Sequence, residues 1–127
     1  MKKAAPVWMN DQAKKEWRRV IKLIIEEEKE LEEKDFKTLE TYCVNYAKWL
    51  KCEEILDLKG LTFETPNGYV QQRPEVAIGN KAQERLLATA KELGLTPASR
   101  SRMNRHKIYE TAEEFDEELE EMISDGT

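Results

Sequence analysis

The chain predicts an all-α fold: a helical domain of long antiparallel helices, a short hairpin or extended loop near residues 61–74, and an acidic helix or tail at the C-terminal end. Three observations predict it. Apolar residues recur at helical spacing through three long windows. Glycine and proline fall mostly at the ends of those windows. Charged residues make up 37% of the 127, which suits a surface-rich helical domain with a modest core.

Asn10 or Asp11 caps a first helix that runs to about Lys34. Ala13, Trp17, Val20, Ile21, Ile24 and Leu31 form one stripe at 100° per residue, and Lys14, Lys15, Arg18, Arg19 and Lys22 lie opposite. The helix is basic at its start and acidic at its end, from Glu26 to Glu33, with no glycine in that charged stretch on which to turn. Each such charge opposes the macrodipole by about 0.3–1 kcal/mol in the terminal turns. Helix stability alone therefore does not account for the polarity; a ligand or a neighbouring subunit of opposite charge would.

Asp35 is the expected N-cap of a second helix, about Phe36 to Lys59, closed by Gly60. Phe36, Leu39, Cys43, Tyr46, Ala47 and Leu50 make one stripe; Tyr42, Trp49 and Leu56 make a second beside it. The apolar arc covers about half the circumference, more than one core needs. It implies either a central helix flanked by two neighbours of its own chain, or an interface in which Tyr42, Trp49 or Leu56 reaches a partner subunit. Cys43 and Cys52 point about 180° apart on this helix and do not pair with each other. A zinc site needs more ligands than they and His106 supply, and no metal or other cofactor is expected.

In "LTFETPNGYVQQRP", residues 61–74, Asn67-Gly68 is a turn signal between Thr62-Phe63 and Tyr69-Val70, and Pro74 closes the segment. A third helix, about Glu75 to Leu93, buries Val76, Ile78, Ala82, Leu86, Ala90 and Leu93, with Gly79 its weak point. Gly94 caps it and Leu95 follows the cap. Thr96 and Pro97 then start a new helix as N-cap and N1, which presents Arg100 and Arg102, with Arg105 and Lys107 beyond. A helix start with nearby arginines and serine hydroxyls suits phosphate oxygens, and equally suits acidic partners within the protein.

Net charge is −5, but it is segregated. Residues 110–127 hold nine acids and no Lys or Arg, leaving residues 1–109 at a net +4. Two domains are expected: 1–109, helical, and 110–127, an acidic tail in which Phe115, Leu119, Met122 and Ile123 recur at helical spacing. A basic body with an acidic tail points to a polyanion ligand and an interaction segment. No run approaches the roughly 20 apolar residues of a membrane span, and Met-Lys-Lys leads into Ala-Ala-Pro, not into a signal-peptide apolar region. A soluble cytoplasmic protein is expected. His106 is the only histidine and has no nucleophile beside it, so no enzyme is expected.

"APVWMNDQAKKEWRRV", Asp35 followed by Leu39, Tyr42-Cys43, Tyr46 and Trp49, the Asn67-Gly68 loop closed by Pro74, and above all "LGLTPASR" occur in order over about residues 6–103. Together they resemble the small-subunit phage terminases of long-tailed cohesive-end phages. The resemblance implies a ring-shaped oligomer in the host cytoplasm. That ring engages double-stranded viral DNA near its packaging start and delivers it to a large terminase subunit, whose ATPase and nuclease do the covalent chemistry.

The residues then take candidate roles. Arg100, Arg102, Arg105 and Lys107, followed by Lys14, Arg18 and Lys22, are the DNA candidates. Tyr42, Trp49, Leu56 and Arg19 are the oligomer candidates. The wide apolar arc and the polarised first helix suit a head-to-tail contact and a closed ring of more than four chains. Phe115, Leu119, Met122 and Ile123 are the candidates for docking on the large subunit. A helix-turn-helix regulator and a structural adaptor that binds no nucleic acid are the alternatives.

Overall fold

The structure is a computed structural model that describes residues 3–102, 117, 119 and 120. The chain divides into two compact units, Met1–Leu93 and Gly94–Thr127. The first unit orders α1 (Asp11–Glu26), α2 (Asp35–Lys59), β1 (Thr62–Glu64), β2 (Val70–Gln72) and α3 (Pro74–Glu92). The described structure is thus mostly helical with one small antiparallel hairpin.

α1 starts where the sequence predicts: the Asn10 side chain accepts a hydrogen bond from the Ala13 amide at 2.9 Å. It ends at Glu26, not near Lys34, and Leu31 lies outside the helix. The stop is built from backbone. Glu28 adopts φ 56°, its N–H bonds to the Ile25 carbonyl, and the Lys29 N–H reaches back to the Ile24 carbonyl. This is the left-handed closure usually made by glycine. A run of like-charged glutamates at the negative end of the helix dipole gives the helix no reason to continue. Asp35 does not cap α2 from outside; it lies within the first turn and accepts from the Glu32 amide at 2.9 Å.

α2 is the middle helix of the unit, packed against α1 and, more extensively, against α3. Toward α1 the ring of Trp17 stacks on Phe36 with centroids 6.0 Å apart; Trp17, Val20, Leu39 and Cys43 are the largest fully buried side chains. On the α3 side, the Cys52 side chain meets Gly79, where an added Cβ would lie 3.0 Å from the Cys52 Cβ. The wide apolar arc of α2 is therefore spent largely on two neighbours of its own chain.

α3 departs from the expected stripe at one point. Ile78 is 48% exposed, whereas Gly79, Ala82 and Ala90 are buried. Small residues set this face because the backbones of α2 and α3 approach closely there, so Gly79 is a contact and not a weak point. Gly79→Leu should lower stability by about 1–3 kcal/mol through overpacking, while Ala88→Leu on the exposed side of the same helix should stay within about 0.5 kcal/mol. Urea denaturation of the two variants decides it; equal midpoints would refute the close approach.

Residues 61–74 form the hairpin. Phe63 pairs with Gln71 and Glu64 with Val70; the Gly68 N–H donates to the Thr65 carbonyl at 2.9 Å, and Gly68 takes φ 85°, as a turn followed by a left-handed glycine requires. Pro74 is the first residue of α3, where its missing N–H costs nothing. Gly94 has φ 73° and ends α3 as the sequence predicts.

Within the second unit a helix begins at residue 97. Ser99 donates its N–H to the Thr96 hydroxyl at 3.2 Å, and the Thr96 N–H reaches the Ser99 hydroxyl at 3.3 Å. That reciprocal pair satisfies two amides that would otherwise be orphaned at the helix start.

Candidate nucleic-acid interface

Lys14, Arg18 and Lys22 follow one another at four-residue steps on α1, a rise of about 6 Å each, and so stand in a row. Arg18 and Lys22 are exposed, and Lys14 is half-buried. Lys22 has only a 4.0 Å approach to Glu26, and Lys14 and Arg18 make no ion pair among the described residues. The row rims an open groove of about 650 Å³ whose opposite wall is the segment before α1, with Lys3, Ala4, Ala5 and Val7. Trp17, Ile21 and Ile25 contribute its apolar lining.

The N-terminal wall is held by three contacts of Lys3. Its carbonyl accepts the Trp17 indole N–H at 2.9 Å, its ammonium pairs with Glu33 at 2.9 Å, and the same ammonium sits 4.6 Å from the Phe36 ring centroid. Nothing in the sequence pattern marks Lys3 for this role, since its partners lie on α1, on α2 and in the segment between them.

Arg19 is turned to other work. Its Nε donates to Glu16, a carboxylate 3% exposed, and Tyr42 lies in the same cluster. Burial acts against the guanidinium charge, but the hydrogen bond and charge of Glu16 outweigh it and hold the Arg19 pKa above its ordinary value. Tyr42 is pushed up by burial and by the Glu16 charge. Cys43 is pushed from 9.0 to about 12, chiefly by burial, then by Glu16; Cys52 is raised by burial and by Glu75.

Both thiols should therefore resist a thiol reagent near neutral pH in the native protein and react once urea unfolds it. A folded pKa above the unfolded one means that the stabilisation is fully present below about pH 9 and is lost as pH rises towards about 12. The urea midpoint should fall across that window. Rapid labelling of the native protein, or a midpoint flat to pH 12, would contradict this.

The other expected site residues fall as follows. On α2, Tyr42 is buried, at 6% exposure, and begins a ladder of rings: Tyr42 to Tyr46 at 6.4 Å and Tyr46 to Trp49 at 6.3 Å. Trp49 and Leu56 are half-buried. Beyond them the end of α2 and the hairpin expose Leu58, Leu61, Tyr69 and Val70, each more than 60% accessible. Helical periodicity does not mark these four exposed apolar residues, because they belong to no single helical stripe. In the second unit Arg100 is half-buried and Arg102 exposed, and Leu119 is 40% exposed. Arg105, Lys107, Phe115, Met122 and Ile123 lie outside the described residues. Among the described residues no group of His, Cys, Asp and Glu is placed to hold a metal ion, and no helix is long and apolar enough to cross a membrane.

Residues 13–110 match the family described as phage terminase, small subunit. No curated protein and no solved structure matches the chain.

Proposed function

The chain belongs to the phage terminase small-subunit family and so to phage DNA packaging, and from that premise we propose that it binds double-stranded viral DNA and hands it to the large terminase subunit, whose ATPase and nuclease it regulates. It performs no covalent chemistry of its own and works in the host cytoplasm as a ring of more than four chains. The observation that carries the DNA assignment is the row Lys14, Arg18 and Lys22, three cations in line on one helix with little internal pairing. Arg100, Arg102, Arg105 and Lys107 form a second phosphate-binding group, through their side-chain charges. Trp49 and Leu56, with Tyr42 behind them and Arg19 beside it, serve the contact between copies. Phe115, Leu119, Met122 and Ile123, on an acidic tail from residue 110, dock on the large subunit.

Binding of this kind is dominated by phosphates. With about four phosphates neutralised per binding unit, affinity for duplex DNA should drop roughly a hundredfold between 50 and 200 mM salt. Fluorescence anisotropy over a salt series, with light scattering on the same sample, tests both halves. Salt-independent binding would remove the DNA assignment, and a monomeric mass at micromolar concentration would remove the ring.

A further inference from the structure

The groove beside the cationic row is more apolar than a phosphate backbone needs. Val7 is 91% and Ile25 44% exposed, and Ile21, 9% exposed, also contributes to the lining. DNA satisfies Lys14, Arg18 and Lys22 but leaves this apolar surface in water. A ligand that carries an apolar stripe flanked by negative charge satisfies both.

This chain contains such a segment. Between Glu110 and Asp125 there are nine acids and no cation, and Phe115, Leu119, Met122 and Ile123 are spaced for one helical face. As a helix, 115–123 spans roughly 12 Å, within the roughly 16 Å from Lys14 to Ile25 along α1. Head-to-tail association needs two different, complementary surfaces on every chain, and the basic-rimmed groove and the acidic striped segment are such a pair.

We infer that the α1 groove receives residues 115–123 of a neighbouring copy, with the apolar residues on Val7, Ile21 and Ile25 and the acids against Lys14, Arg18 and Lys22. The inference rests on the proposal that the chain assembles.

Disulfide trapping between full-length chains tests this. Cys43 and Cys52 are buried and form a silent background. A chain with Ile25→Cys is mixed with a tagged chain with Leu119→Cys under oxidised glutathione, and the mixed product is identified by mass. The expected result is a linked pair that forms at least tenfold faster than the pair made with Leu58→Cys, an exposed position outside the groove. It slows at least tenfold when Lys14→Glu, Arg18→Glu and Lys22→Glu are added to the groove chain. A chain carrying both Ile25→Cys and Leu119→Cys should give linked multimers.

An assembled sample with no linked pair, or with one no faster than the Leu58→Cys control, would overturn the groove inference and leave assembly standing. A disulfide closed within one chain would overturn the neighbouring copy as occupant. A monomeric mass by light scattering would overturn the assembly proposal itself.

Discussion

Trp17→Ala is expected to remove about 3–5 kcal/mol of folding stability. Trp17 is 1% exposed, stacks on Phe36, and gives its indole N–H to the Lys3 carbonyl. Truncation deletes the largest side chain between α1 and α2, opens a cavity in a core with few large residues, and frees the N-terminal wall of the groove. A domain of this size has about 5–15 kcal/mol in total, so the variant should be unfolded or nearly so in mild urea. Trp8→Ala removes an equally large ring that is 65% exposed and should change stability by less than about 0.5 kcal/mol. Circular dichroism over a urea series separates them, and similar midpoints for the two variants would mean that the α1–α2 contact is not organised around Trp17.

The second large effect concerns DNA. Reversing Lys14, Arg18 and Lys22 together to glutamate should weaken duplex binding by roughly two to three orders of magnitude near 100 mM salt, and should lower the slope of log affinity against log salt by about 2.7, three contacts at about 0.9 each. The three side chains lie at the rim, not in the core, so the helical signal should survive. Reversal of Lys37, Lys51 and Lys81, which are also exposed and change net charge equally, is the matched control and should cost only a few-fold. If both triples weaken binding alike, the row has no special place and only net charge matters.

Much of this arrangement is legible in the sequence. Asn10, Pro74, Gly94 and the pair Thr96-Pro97 each mark a boundary because the residue type itself satisfies a backbone requirement at a helix end. The Asn67-Gly68 turn is read the same way. The cationic row is readable too, since four-residue spacing is enough to place Lys14, Arg18 and Lys22 together.

What is not legible depends on contacts between elements. Arg19 shares a helix face with Arg18 by periodicity, yet Glu16 and Tyr42 take it out of the row, and only the placement of α2 shows that. Ile78 fits the apolar stripe of α3, but the closeness of Cys52 makes Gly79 the inward residue and turns Ile78 outward. The groove has one wall made by residues 3–7, which have no periodicity to read. The end of α1 at Glu26 is not legible, because its closing residue, Glu28, carries no sequence mark of that conformation.

That closing residue, Glu28, has a consequence for how this chain can change. A non-glycine residue in the left-handed region carries roughly 1–2 kcal/mol of steric cost, and Glu28 is the only such residue among those described. Glutamate and glycine codons differ at a single base. One mutational step therefore separates this turn from its relaxed form, and that step deletes a negative charge from the helix end where the dipole least favours one. Random mutagenesis under selection for thermal tolerance should find it early, because the backbone geometry that a glycine would need is already in place.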